Sequence, residues 1–228
     1  SHTERITIPI NNMKYKCLVL DHDDTVVNST ATVHFPAFSN LLSQIRPNVK
    51  MNLEEYFELN YDPGFSELCY KILGFSEEEM QLQLENWQKF CAERVPEAYD
   101  GIKQIICDFK AGDGKICVVS HSFKKYILRD YEKNRLSLPD MIFGWDEPEE
   151  ERKPNPYPLF KIMQTYNFSA SDLVMVDDLK PGMVMANAAG IDFIGAGWAH
   201  SGQTVATAMK SSCKNFAAHV ADLNKYLF

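Results

Sequence analysis

The chain has 228 residues, 45% hydrophobic and 24% charged, an ordinary globular composition with enough length for a substantial buried core. A net charge of −8 argues against the broad basic face that nucleic-acid binding needs, and no run of 18 apolar residues or signal-like apolar segment marks the chain for a membrane. Six cysteines without paired spacing fit a reducing compartment better than a disulfide framework, so the expectation is a soluble, cytoplasmic protein.

Ile6, Ile8 and Ile10 alternate with polar residues and predict a short strand that turns at Asn11-Asn12. Cys17-Leu18-Val19-Leu20 is a continuous apolar run, too short for a helix, as expected of a parallel strand covered on both faces. It ends in Asp21-His22-Asp23-Asp24-Thr25, three carboxylates within four residues. At 4 Å, each pair of like charges repels by about 1 kcal/mol in water and about 4 kcal/mol at an effective dielectric of 20. Either the acids form a solvated turn or they surround a hard cation such as Mg²⁺.

From 28 to 97 the pattern is helical. Phe35, Phe38, Leu41, Leu42 and Ile45 form a stripe that Pro47 ends. Short helices over 53–59 and 65–73 are separated by Asp62-Pro63-Gly64. Ser76 and Glu79 make a capping box for a longer helix with Met80, Leu84, Trp87 and Cys91 on one face, stopping before Pro96.

Beyond Pro96 strands alternate with helices. Helix is predicted over 102–109, then strand 116–119 running into Ser120-His121-Ser122, helix 123–131 and strand 141–143. A charged loop leads to Lys153-Pro154-Asn155-Pro156 and a helix over 158–166. Strand 173–176 runs into Asp177-Asp178; Pro181 opens and Gly190 closes the next helix, followed by strand 192–195 and helix 219–227. The expected fold is α/β: a Rossmann-like parallel sheet from residues 1–27 and 98–228, with 28–97 an α-helical cap inserted after the first core strand.

Parallel strands bring Asp21/Asp23, Ser120 and Asp177/Asp178, with the Lys153 loop, to one rim, where open α/β sheets bind ligands. Each has a plain alternative. Ser120 or the Asp pair could cap a helix, and Lys153 could be a solvated member of its charge run. Together, four acids, a hydroxyl and an ammonium suit Mg²⁺ and a phosphoryl group.

These four segments resemble the motifs of the haloacid dehalogenase superfamily: Asp-x-Asp-x-Thr at Asp21–Thr25, a strand-end Ser at Ser120, Lys-Pro-x-Pro at Lys153, and the acidic pair Asp177-Asp178. The helical insertion between the first two is similar to the C1-capped subgroup, which includes phosphoglycolate phosphatases and β-phosphoglucomutase. The resemblance implies a Mg²⁺-dependent phosphatase acting on a small phosphorylated metabolite, with no nucleic-acid or membrane partner; a phosphosugar mutase, or less closely a receiver-like phospho-accepting module, is the alternative. It implies Asp21 as nucleophile, Asp23 as a protonated acid and then base, and Lys153 as fixed charge. It further implies Ser120 and the His121 N–H as phosphate ligands, and Asp21, the Asp23 carbonyl, Asp177 and Asp178 around the metal. Asp23 argues against dehalogenase chemistry, whose enzymes lack that acid. Two departures stand out: Asp24 where Gly is common, and Gly182 where many relatives carry a further Asp. His34 falls where sugar-phosphate members often have a His; it either reaches a substrate hydroxyl or satisfies a core contact.

Overall fold

A computed structural model describes residues 13–228. The alternation at Ile6, Ile8 and Ile10 therefore lies outside the described residues. Six parallel strands form one sheet in the order β3-β2-β1-β4-β5-β6: β1 Cys17–Leu20, β2 Lys115–Val119, β3 Met141–Phe143, β4 Leu173–Asp177, β5 Asp192–Ala196 and β6 Asn215–Ala217. The order reverses between β1 and β4, and such a switch point opens a crevice beyond the carboxyl ends of the strands.

The apolar run of β1 is explained by its two faces. Leu18 and Leu20 pack with Ile116, Val118, Val174 and Val176 against α5 (Ile102–Ala111), α6 (Lys124–Lys133) and α10 (Leu223–Leu227). Cys17 and Val19 join Cys117, Leu173 and Met175 against α7 (Tyr157–Tyr166), α8 (Lys180–Ala189) and α9 (Thr204–Ser212). Neither α9 nor the three-residue edge strand β6 is predicted from the sequence pattern. The closing helix is shorter than expected, a 3₁₀ turn at Val220–Asp222 running into α10.

Between β1 and α5 the chain is helical. A π-turn, Thr30–His34, runs into α1 (Phe35–Ile45); α2 (Leu53–Tyr61), a short α3 (Phe65–Glu67) continuing as a second π-turn, and α4 (Glu77–Glu93) follow. The expected capping box forms, with both Ser76 and Glu79 bonds present, and Arg46 at the end of α1 grips Glu79 at 2.6 and 2.9 Å. Phe38, Leu41, Leu42, Tyr56, Leu68 and Phe75 make a separate apolar cluster here. Neighbouring residues of α2 divide their allegiance: Tyr56 belongs to this cluster, whereas Phe57 is buried in the sheet core. The two crossings into and out of the helices are stitched together, Asn28 N–H to the Glu97 carbonyl at 2.8 Å and Tyr99 N–H to that of Val26 at 3.0 Å.

Leu18 is fully buried at the centre of the sheet, whereas Val184 is 48% exposed on α8. Leu18→Ala is expected to cost about 2–5 kcal/mol and Val184→Ala less than about 0.5 kcal/mol. Urea unfolding midpoints at matched m-values check the contrast.

Candidate active site

The register of the sheet builds the site. Leu20 pairs with Val176, and the Asp21 N–H donates to the Val176 carbonyl at 3.0 Å, so Asp21 emerges beside Asp177. Asp21, Asp177 and Asp178 are at most 4% exposed, and one oxygen of each lies within 4.8 Å of the others. Lys153, 8% exposed, reaches between them and donates to Asp21 Oδ1 at 2.7 Å and Asp177 Oδ2 at 3.0 Å. Its plain reading as a solvated member of a charge run is excluded. Burial opposes the ammonium, but the Asp177 and Asp21 charges outweigh it and hold its pKa above the usual lysine value.

The carboxylates outnumber that ammonium. Burial first, then the Asp21 charge, pushes Asp177 up to about 7 and raises Asp178 well above the usual range. Three buried carboxylates, two of them bonded to a single lysine, are a donor set of hard oxygens with uncompensated negative charge, which fits a divalent cation such as Mg²⁺. The Asp23 carboxylate stands outside this group.

Asp23 has a different setting. Ser29 and Ser122 hydroxyls donate to it at 2.7 and 2.6 Å, His34 Nε2 at 2.8 Å, and Ser120 Oγ lies at 3.5 Å. Burial alone would raise its pKa, but these donors, His34 foremost, hold the carboxyl below the ordinary range. Hydrogen bonding to the charged form thus opposes the protonation that crowding by acids favours at Asp23. The Trp87 indole N–H, a donor only, reaches His34 Nδ1 at 2.9 Å, so the ring donates from Nε2. Burial opposes a second proton on this ring, but the Asp23 charge and hydrogen bond outweigh it and raise the His34 pKa well above the usual histidine value, with the Trp87 N–H at Nδ1 set against them.

Ser120 Oγ accepts from the Ser122 N–H at 3.0 Å and caps no helix: α6 starts after Phe123 without a side-chain cap. The His121 ring bonds the Lys153 carbonyl at 2.8 Å, joining the two loops. Thr25 donates to Asp21 Oδ2 at 3.1 Å, and Trp198 Nε1 holds the Thr25 carbonyl at 3.0 Å.

Both departures from the resemblance have local causes. Asp24 has φ 63°, the left-handed region where Gly is favoured and Asp tolerated; its carboxylate takes the Thr30 N–H at 3.0 Å and the Thr30 hydroxyl, tying the acidic loop to the first π-turn. At Gly182 an added Cβ would stand 2.1 Å from Asp177 Oδ2, so any side chain there would displace that carboxylate.

Sequence reasoning missed six contributors. Ser29 and Ser122 lie near motif residues but carry no period. His22 Nε2 contacts Asp130 at 2.8 Å; Arg129 grips Asp130 Oδ1 and also donates to the Cys91 and Arg94 carbonyls at the end of α4. His200 bonds Asp178. Only the unusual His between two motif acids offered a signal.

A cavity of about 10 Å³ lies between the helices and the sheet, lined by Asp23, His34, Ser122, Arg94, Tyr126 and Arg129. A wider open groove along Ser39, Leu42, Lys50 and Glu55 holds none of the motif residues.

Residues 18–196 match the family model of haloacid dehalogenase-like hydrolases. No curated protein sequence matches the chain. Among solved structures, a predicted phosphoglycolate phosphatase from Haemophilus somnus is similar at 18% identity and TM-score 0.73, covering 94% of this chain and 99% of that one. A haloacid dehalogenase-like protein of unknown function from Agrobacterium tumefaciens aligns at 17% and 0.74, over 93% and 97%. CbbY from Rhodobacter sphaeroides, in complex with xylulose 1,5-bisphosphate, aligns at 18% and 0.69, over 92% and 96%. Identities this low carry the fold alone.

Helix propensity alone would make Gly182→Ala stabilising by about 1 kcal/mol. The close approach of Asp177 reverses the sign, so a lowered Tm is expected, checked by thermal unfolding of the metal-free protein.

Proposed function

The chain belongs to the haloacid dehalogenase-like hydrolase family, and on that premise we propose that it is a Mg²⁺-dependent phosphatase that hydrolyses a small organic phosphomonoester through an aspartyl-phosphate on Asp21. The observation that carries this reading is the separation of two carboxylates by environment: Asp21 lies against Lys153 in the charged cluster, and Asp23, two residues on, among neutral donors. Neighbouring acids in unlike settings suit a nucleophile and a proton carrier.

Asp21 Oδ1 or Oδ2 would attack phosphorus in line with the leaving oxygen. Lys153 offsets the charge of the phosphoryl group next to that carboxylate, and Ser120 with the His121 N–H would bind its remaining oxygens. Approach of the phosphate anion favours the neutral form of Asp23, which then protonates the leaving alcohol and later takes a proton from the attacking water. Mg²⁺ held by Asp21, the Asp23 carbonyl, Asp177 and Asp178 would neutralise carboxylate–phosphate repulsion. An acid two residues after the nucleophile supports hydrolysis rather than the stored phosphate of a receiver module.

We assign 28–97 as the cap, over a core of 1–27 and 98–228. The cavity beside Asp23 is smaller than the roughly 300–1,000 Å³ of ligand pockets, which supports entry of substrate by movement of the helices about the paired crossings at Val27-Asn28 and 96–99. His34, whose Nε2 bonds Asp23, would then be a cap residue within reach of a substrate hydroxyl. Six free thiols support a cytoplasmic setting.

A phosphate-release screen over phosphosugars, phosphoglycolate and p-nitrophenyl phosphate tests the activity. Release is expected to require Mg²⁺ and to vanish in Asp21→Asn with the fold retained; turnover by that variant, or in excess chelator, refutes the mechanism.

His34→Ala is expected to reorder kcat/KM across the same panel, with p-nitrophenyl phosphate, whose leaving group needs little assistance, changed least. An equal loss for every substrate assigns the cap to access alone.

A further inference from the structure

Asp178 needs a partner on the side away from the cluster. It follows β4 directly, is 1% exposed, and has only a distant hydroxyl, Thr25 at 3.5 Å, near its Oδ1. Its Oδ2 receives His200, at 2.7 Å from Nε2. His200 has no accessible surface and ends a 3₁₀ turn, Trp198–His200, just beyond β5. The turn is pinned at both ends, by the His200 N–H on the Gly197 carbonyl at 3.1 Å and by the Gln203 N–H on the His200 carbonyl at 2.9 Å. On its other flank the ring meets the edge of Phe57, centroids 4.5 Å apart and planes at 87°.

The ring's remaining nitrogen, Nδ1, is buried without a partner. An unpaired buried donor is costlier to leave than an unpaired acceptor with lone pairs on an aromatic ring, and a carboxylate only accepts. Nε2 therefore carries the proton and gives it to Asp178 Oδ2. With Oδ2 engaged, rotation of the carboxylate is stopped and Oδ1 is the oxygen left for the cluster. None of the four motifs includes His200, and the proposed mechanism gives it no proton to move.

We propose that His200 is a positioning residue for Asp178, fixing the carboxylate so that Oδ1 faces Asp21 and Asp177 and thereby setting the affinity of the cluster for a divalent cation. The inference rests on the reading of that cluster as the Mg²⁺ site. Partners of this kind, one bond removed from the ligand oxygens, typically contribute about 10–100-fold in metal affinity. Phe57 supplies the wall that keeps the ring in its plane, so a residue of α2 is in contact with the device.

Isothermal titration of Mg²⁺ into the purified full chain tests it, with Asp178→Asn as the control that identifies the site. His200→Phe, which keeps an aromatic ring and removes the donor, is expected to weaken Mg²⁺ binding by about 10–100-fold. His200→Gln, long enough to return an N–H to Asp178, is expected to recover most of the loss, and His200→Asn, too short to reach, is not. The Gln–Asn contrast carries the comparison where the Phe variant does not fold, as judged by circular dichroism. Wild-type Mg²⁺ binding that His200→Phe leaves unchanged, or equal binding by the Gln and Asn variants, overturns the positioning role alone. Wild-type protein that binds no Mg²⁺ sensitive to Asp178→Asn overturns the cation reading and this inference with it.

Discussion

The ammonium of Lys153 between Asp21 and Asp177 is the contact on which the site's geometry depends. All three groups are nearly inaccessible, and each buried ion costs several kcal/mol of lost hydration unless its bonds replace what water gave. The pairing repays that cost only with the distances found, 2.7 and 3.0 Å, and these follow from the register of β1 against β4. A slip of one residue would turn Asp21 to the opposite face of the sheet and leave Lys153 with one partner. The apolar packing of both sheet faces is thus what keeps the charges in place. Gly182 continues the argument on the other side of Asp177, where even one methyl group would intrude.

The strands that bear the motifs were legible because each is an apolar run ending in polar residues, a pattern imposed by burial on two faces. Edge elements carry no such pressure: β6 has three residues, two of them half-buried, and leaves almost no signal. Within the site the motif acids and Lys153 could be read, since their chemistry dictates residue type. Their partners could not, because Ser122 and His200 meet Asp23 and Asp178 across about a hundred and about twenty residues of chain, and no local period encodes such meetings. The hydrogen-bonded setting of Asp23 is illegible for the same reason. Counting charges in the sequence finds the repulsion, whereas the three donors that counter it exist only in the fold.

Between the inserted helices and the sheet runs a chain of buried polar contacts, from the last carbonyls of α4 through Arg129 and Asp130 to His22. It ends between the two motif acids. The Asp24 tie to Thr30 and the Phe57 contact with His200 reach the same strand ends from other directions. Displacement of the helices would be felt at Asp21, Asp23 and Asp178 through three separate routes, each made of direct side-chain contacts.

The position of β1 at the middle of the sheet has a consequence for how the chain is made. Among the described residues β1 is the earliest strand, yet its neighbours β2 and β4 lie far downstream. They follow by about 100 and about 150 residues, so at roughly 5–20 residues per second β1 emerges about 5–20 s before β2 and about 8–30 s before β4. The inserted helices, made of local contacts around Phe38, Leu41 and Tyr56, can close their own cluster during that interval. The sheet cannot. The charge cluster has no second carboxylate until β4 is synthesised, and a chain interrupted before that point holds folded helices and a solitary acidic loop.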